Sequence, residues 1–275
     1  MGLKQLFDLS GRVTIITGGA GLLGIQHAEV IAEAGGFPVL ADINKEDAEK
    51  KAEIISGQYY VDSLGIRTDI TKKSEVEALS GEVLKKFGRI DILINNAAND
   101  PKVKAGEDSS WNRFENFPIE LWNQDIAVGL TGAFLCSKVI GSEMAKRGGG
   151  VILNISSDLG VIAPDQRIYF KEGLPAEKQS VKPVSYSVVK HGLIGLTKYL
   201  ATYWADKNIR VNAVSPGGVY TGQSPEFVKK LRNLIPLGRM ANKDEYKAAI
   251  LFLVSDASSY MTGANLIIDG GRSCW

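Results

Sequence analysis

Tyr186 and Lys190 stand four residues apart in the run Ser185-Tyr-Ser-Val-Val-Lys-His-Gly192, a spacing that can do acid–base chemistry. On a helix the two side chains rise from one face, so the ammonium sits beside the phenol. A phenol titrates near ~10 in water, and a unit charge about 5 Å away at an effective dielectric of roughly 20 is worth ~3 kcal/mol, or ~2 pKa units. That brings a tyrosine into the range of a general acid or base near neutrality. Any surface helix can carry such a pair, so its meaning depends on the elements that position it.

Those elements alternate strand and helix. Val13 to Thr17 is a β-branched run that ends in Thr17-Gly-Gly-Ala-Gly-Leu-Leu-Gly24 and leads into a helical stretch from about Leu23 to Ala34. Glycines there let the backbone turn tightly against a pyrophosphate resting on the helix N-terminus. The next strand, Phe37 to Ala41, ends in Asp42, where a carboxylate accepts from adenosine ribose hydroxyls and repels a 2′-phosphate. Asp42 also stands where it could cap the helix starting near Lys45. Helices at 45–56 and 74–87 alternate with strands near Ile66 and over 90–94, and Asn95-Asn-Ala-Ala98 follows the last of these. A polar loop, Asn99 to Phe117, leads into a long helical region from Glu120 to about Lys146. Val151 to Ile155 is a strand ending in Ser156-Ser157. The helix carrying Tyr186 is predicted to reach about Lys207, Ile209 to Val214 to be a strand, Asp244 to Ser255 a helix and Leu266 to Ile268 the last strand. This order predicts an α/β fold, a single Rossmann-like domain over 1–275 with a doubly wound parallel sheet and helices on both faces. Two stretches break the alternation: a polar, irregular one at about 158–183 and a mobile-looking one at about 220–240.

Thirty-two basic and 31 acidic side chains leave a net charge of +1, so no global field favours nucleic acid or an anionic membrane. Two cysteines, Cys136 and Cys274, form no disulfide framework and suit a reducing cytoplasm. The first residues lack the apolar stretch of a signal peptide and the Ser/Thr of a myristoylation site, and no stretch reads as transmembrane in length. His27 and His191 read as helix-surface or interface residues, and no cluster has metal-ligand spacing.

Taken in order, Thr17 to Gly24, Asp42, Asp69, Asn95-Asn96-Ala97, Ser157, Tyr186 with Lys190, Pro216-Gly217 and Ile268-Asp269-Gly270-Gly271 resemble the short-chain dehydrogenase/reductase family over essentially the whole chain. The resemblance implies Tyr186 as proton donor or acceptor at the substrate oxygen, Ser157 as its hydrogen-bond partner, and Lys190 as modulator of the tyrosine and ligand of the nicotinamide ribose. It implies NAD(H) held by Gly18, Gly21, Leu22, Leu23, Gly24, Asp42, Ile43, Asp69, Ile70, Asn96, Ala97, Pro216, Gly217, Val219 and Thr221, with Asn95 also along the cofactor. A homo-oligomer, tetramer or dimer, is implied too. Tyr169 has Gly173 four residues on and is no second candidate.

Three positions depart from the family's common pattern: Leu22 replaces a glycine, Ala98 replaces a glycine, and Gly129 replaces an asparagine that helps position a water beside the lysine. The missing side chain at Gly129 is expected to leave polar room. The run Thr17-Gly18-x-x-Gly21-x-x-Gly24 and the 29 positions from Ser157 to Tyr186 look like the longer nucleotide-sugar branch. The glycine run and the helix that carries Gly129 in place of asparagine also look similar to bacterial oxidoreductases of flagellin and surface-sugar modification. The leading expectation is an NAD-dependent oxidoreductase interconverting an alcohol and a carbonyl on a sugar or sugar-like compound, with a place in surface-glycan biosynthesis. A reductase of an acyl or apolar ketone and a dinucleotide-binding protein with vestigial catalysis are the alternatives. Within 158–183, Asp158 and Arg167 are the expected substrate contacts, because the ends of this segment are pinned at Ser157 and Tyr186 and a guanidinium can grip an anion bidentately.

Overall fold

The computed structural model describes residues 2–99 and 110–275. Residues 100–109 of the polar loop read between Asn99 and Phe117 lie outside the described residues.

Seven parallel strands form one sheet in the order β3-β2-β1-β4-β5-β6-β7. They are β1 (Val13–Thr17), β2 (Phe37–Asp42), β3 (Leu64–Arg67), β4 (Ile92–Asn95), β5 (Gly150–Ile155), β6 (Ile209–Pro216) and β7 (Asn265–Ile268). A short α1 (Leu3–Leu6) precedes the sheet; α2 (Leu22–Glu33), α3 (Lys45–Tyr59), α4 (Lys73–Phe87), α5 (Ile119–Ile126), α6 (Gly132–Lys146), α7 (Val184–Tyr203), α8 (Pro225–Arg232) and α9 (Lys247–Val254) follow in order.

Strand residues alternate between two cores, as the two-residue period of a strand requires. Ile16, Leu40, Ile92, Ile94 and Leu153 pack with α2, α3 and α9 through Ile31, Ile55 and Ile250. Val13, Ile15, Val39, Leu93 and Ile152 pack with α4, α6 and α7 through Leu79, Ile140 and Leu200. Both faces are therefore covered, and the strands read as near-continuous apolar runs. The strand order reverses between β1 and β4, and a sheet of this kind opens its crevice there, outside the carboxyl ends of the strands.

Four features differ from the sequence reading. The α7 helix stops at Tyr203 and a 3₁₀ turn over Ala205–Lys207 follows. The stretch 220–240 is not featureless: α8 lies within it, capped by Ser224 and packing Leu231, Ile235 and Met240 around Ile168 of the 158–183 segment. That segment folds as three 3₁₀ turns, and the Tyr169 ring packs tilted against Phe227, centroids 5.6 Å apart. A π-helical turn, Ala127–Thr131, joins α5 to α6, and the continuous helix 119–146 is long and apolar enough to cross a membrane by length and composition. Its Cys136, Ile140 and Met144 lie fully buried in the second core.

Candidate active site

The glycine turn is shaped by two close approaches. Gly18 has φ +59°, and a Cβ there would lie 2.9 Å from Ala97 Cα; a Cβ on Gly24 would lie 2.2 Å from the Gly18 carbonyl oxygen. Position 22 has no such constraint. Leu22 opens the first turn of α2 and is 49% exposed, which is why leucine is tolerated where the family commonly has glycine. Gly21 caps α2 without a side-chain bond, leaving first-turn N–H groups for an anion. From β4, Asn96 locks the turn: its Nδ2 donates to the carbonyls of Thr17 at 2.9 Å and Gly18 at 3.1 Å, and the Asn96 and Ala97 N–H groups donate to Thr17 Oγ1.

Asp42 ends β2, with Oδ2 accepting from Ala20 N at 3.0 Å and Oδ1 from Asn44 N at 3.1 Å. The cap of α3 is Asn44, whose side chain accepts from Asp47 N, so Asp42 has no capping role. Ile43 beside it is 65% exposed and Leu23 is half-buried. Asp69 follows β3, and bonds from Thr71, then the Lys72 ammonium, hold its carboxyl below the usual range. Ile70 is buried against Gly132 of α6. Beyond β6, the Gly217 N–H donates to Ile268 O at 2.8 Å, while Gln223 gathers Val219 O and Thr221 Oγ1 through its Nε2. All these groups stand at the carboxyl edge of the sheet. A cradle that a Cβ would fill, an open helix N-terminus and a carboxylate at the end of β2 are a donor and acceptor set that fits a dinucleotide.

On the other side of the switch point, Ser157 follows β5 and caps the 3₁₀ turn Asp158–Gly160. Tyr186 and Lys190 project from α7, with Lys190 Nζ 5.6 Å from the tyrosine ring centroid. Lys190 is 4% exposed and its Nζ donates to Ile155 O at 2.8 Å, while Ser156 Oγ donates back to Lys190 O at 2.8 Å. These two bonds fasten the strand that delivers Ser157 to the helix that delivers Tyr186. The structure thus brings Ser157, Tyr186 and Lys190 to one corner. The first turn of α7 is fixed further by Asp125 of α5, buried to 4% exposure, which accepts a short bond from Ser185 Oγ and one of 2.7 Å from Asn99 Nδ2.

A second cation was missed in the sequence. Lys182 Nζ lies 3.8 Å over the Tyr186 ring centroid, closer than Lys190. Its i−4 spacing mirrors that of Lys190, but Lys182 precedes the start of α7, so helical spacing could not have located it. A cavity of about 420 Å³ adjoins it, lined by Phe114, Gln166, Lys182, Val184 and Val188 among others.

Several expectations change here. A Cβ on Gly129 would lie 2.5 Å from Val189 Cγ1, so the space expected to be polar is filled by a valine methyl. Asn95 is 3% exposed and turned into the sheet, donating to Asn154 Oδ1 at 2.8 Å and Ser137 Oγ at 3.1 Å. His27 is buried in α2; burial lowers its pKa to about 4, partly offset by the Asn96 side chain. Arg167 is 88% exposed and spends its fork on Asp165, at 2.9 and 2.6 Å. Asp158 is buried, bound to Ser157 Oγ at 2.8 Å and to Arg272 at 2.7 Å. Burial pushes the Cys136 thiol up to about 12, as suits a packing residue.

Residues 21–273 match the family described as enoyl-(acyl carrier protein) reductase. The chain is 37% identical to an NAD-dependent glycerol dehydrogenase of Listeria innocua, over 98% of this chain and 97% of that one. It is 36% identical to an NADP-dependent mannitol dehydrogenase of Alternaria alternata (98% and 95% covered) and 34% identical to a D-threitol dehydrogenase of Mycolicibacterium smegmatis (96% and 94%). The fold superposes on a short-chain type dehydrogenase/reductase from Mycobacterium marinum with a TM-score of 0.84 and 32% identity, all of both chains covered. With its parallel sheet, its glycine turn and its serine, tyrosine and lysine at one corner, the chain belongs to the short-chain dehydrogenase/reductase family.

Proposed function

We propose that this protein is an NAD-dependent dehydrogenase that interconverts a secondary hydroxyl and a carbonyl on a small polyol or sugar. The observation that carries this reading is the convergence of Ser157, Tyr186, Lys190 and Lys182 at the end of β5, across the crevice from the glycine turn. When bound, the nicotinamide supplies the acceptor or donor of a hydride; the protein supplies orientation and proton handling. Tyr186 Oη takes the proton of the substrate hydroxyl in oxidation and returns it in reduction. Two ammonium groups near its ring favour the phenolate charge, and the buried one is oriented by the Ile155 carbonyl. Ser157 Oγ hydrogen-bonds the reacting oxygen.

Asp42 supports NAD over NADP, since its carboxylate would face a 2′-phosphate of like charge. Lys51 Nζ, bonded to Ala20 O at 2.6 Å, is the nearby cation a 2′-phosphate would use if Asp42 were removed. The names of the relatives support polyols. A place in surface-glycan biosynthesis, a second reading, rests on the glycine run and Gly129 alone. The segments 158–183 and 220–240, which pack on each other through Ile168, form the substrate wall of one domain. Exposed Val188, Tyr199 and Tyr203 on α7 and Phe134 on α6 support a homo-oligomer, and two free thiols support the cytoplasm. Glycerol, D-threitol, D-mannitol, xylitol and a nucleotide sugar, each with NAD and NADP and followed at the reduced-nicotinamide absorbance, test the reading. Turnover of free polyols with NAD is expected; turnover confined to the nucleotide sugar would favour the second reading, and none at all would sink both.

A further inference from the structure

Ser157 has an unusual neighbour. Asp158 Oδ1 lies 2.8 Å from Ser157 Oγ, and a carboxylate can only accept, so the serine proton points at the aspartate. The same Oγ accepts from Leu159 N at 3.2 Å. The other aspartate oxygen is 2.7 Å from Arg272 Nη1, with the two side chains 4% and 8% exposed. Arg272 comes from the end of the chain, where Asp269 accepts from the N–H groups of Gly271 and Ser273 and so fixes the turn that carries it. The 3₁₀ turn holding Asp158 is pressed onto α7, since a Cβ on Gly160 would lie 2.4 Å from Ser156 Oγ and 2.8 Å from Lys190 O.

We infer that Asp158 and Arg272 are a positioning pair that orients the Ser157 hydroxyl and governs when its proton is offered to the substrate oxygen. This rests on the catalytic reading of Ser157 and Tyr186 above. At rest the serine keeps its O–H on Asp158. As the substrate hydroxyl gives its proton to Tyr186 Oη, negative charge grows on the substrate oxygen, and Ser157 turns its O–H from the carboxylate to that oxygen. No covalent bond of Ser157 changes; only its hydrogen bond moves. A lone buried carboxylate would retain the serine proton and repel the growing charge with little screening. Arg272 offsets that charge, so the serine can let go.

The test uses the polyol of the panel with the largest kcat/KM, with kcat taken per NAD-binding site counted by fluorescence titration, below each variant's melting temperature. Arg272→Met is expected to lower kcat at least about tenfold while the polyol KM and NAD Kd move less than roughly threefold. Asp158→Asn, whose amide oxygen still accepts from Ser157, should lose only about two- to fivefold, and Arg272→Met added to it should cost less than about twofold more. Arg272→Lys should restore most of the loss. In a Ser157→Ala background Arg272→Met should have almost no effect on kcat, which a merely structural ion pair would not reproduce. Independently of turnover, a crystal structure of the Asp158→Ala variant should show the Ser157 side chain in more than one rotamer. The pair is overturned if Arg272→Met keeps kcat within twofold, if it lowers the Ser157→Ala variant just as strongly, or if Ser157 stays in one rotamer once the carboxylate beside it is removed. Should Arg272→Met fail to fold, the comparison of Asp158→Asn with Arg272→Lys and the rotamer measurement decide alone. A Ser157→Ala variant with full kcat would sink the catalytic reading and the pair together; an inactive Ser157→Ala beside a fully active Arg272→Met would sink the pair only.

Discussion

Two carboxylates at the carboxyl edge of the sheet show how differently the halves of the crevice are made. Asp42 ends its strand and spends its oxygens on backbone N–H groups, the farther only 22 residues away. Asp158 sits one residue beyond the Ser157 cap and is balanced by Arg272, 114 residues away. The cofactor half is a local construction of strand, glycine turn and helix. By contrast, the half proposed to take substrate is assembled from the segment after β5, the residues around α8 and the end of the chain. Local construction leaves a recognisable run of residues; assembly over long range leaves scattered single ones.

Changes on the two sides should therefore separate binding from turnover, and the sharpest separation is expected at the tyrosine. Tyr186→Phe should lower kcat by about 10³-fold with NAD affinity within roughly twofold, because only the proton-carrying oxygen is lost. Steady-state rates with a fluorescence titration of NAD would show it, and a kcat within tenfold of wild type would refute the assignment. On the cofactor side, Asp42→Ser should raise the NADP-to-NAD ratio of kcat/KM by roughly hundredfold, as a charge repulsion of a few kcal/mol is removed and Lys51 remains. An unchanged ratio would mean that Asp42 does not meet the ribose.

A third experiment asks whether the support beneath the glycine turn is as apolar as it looks. His27 binds its proton less readily in the folded protein, with a pKa of about 4 against an ordinary 6.5, because it is buried. Below pH 6.5 the unfolded chain gains a proton that the folded one resists, so stability is full above that pH and declines as pH falls toward 4. The loss should approach about 3 kcal/mol, read as the urea-unfolding difference between wild type and His27→Leu at about pH 7.5 and about pH 4.5. Parallel pH profiles for the two proteins would contradict it. The smallest effects belong to the substrate side: Lys182→Met should reduce kcat/KM for a polyol about fivefold, and Arg167→Ala less than about twofold, since its guanidinium is already held by Asp165 in water. If Arg167→Ala proves the more damaging, the wall is arranged differently.

The sheet, the glycine turn and the pairing of Tyr186 with Lys190 were legible because each follows from neighbours close in sequence: β-branched runs, glycines at fixed offsets, a four-residue spacing. Ser157, 29 positions before Tyr186, was legible from the family resemblance and from its place at the end of a strand. Lys182 was not, because it acts from just outside the helix whose spacing would have revealed it. Arg272 was not, because an arginine near the end of a chain gives no sign of the carboxylate it will meet. Gly129 misled, since an absent side chain says nothing of Val189 moving into its place. His27 misled for a related reason: one histidine among apolar helix residues does not declare which face is buried. The helix α8 was obscured by its charged composition, which let only Leu231 into the interior.

Beneath the corner that holds Ser157, Tyr186 and Lys190, Asn95 and Asn154 stand opposite each other in β4 and β5; Asn95 Nδ2 donates a 2.8 Å hydrogen bond to Asn154 Oδ1, and Asn154 Nδ2 donates to Thr197 Oγ1 of α7 at 2.8 Å. In a sheet whose strands are mostly apolar on both faces, this ladder is a register mark between β4 and β5. A strand slipped by one residue would turn an amide to the opposite face and leave a dry, unpaired polar group, at a cost of about 1–3 kcal/mol. The observed alignment makes the Asn95–Asn154 and Asn154–Thr197 bonds together, and a slipped one loses them. The relative placement of Ser157 and Tyr186 is in this sense written into the register of the sheet, independently of any substrate.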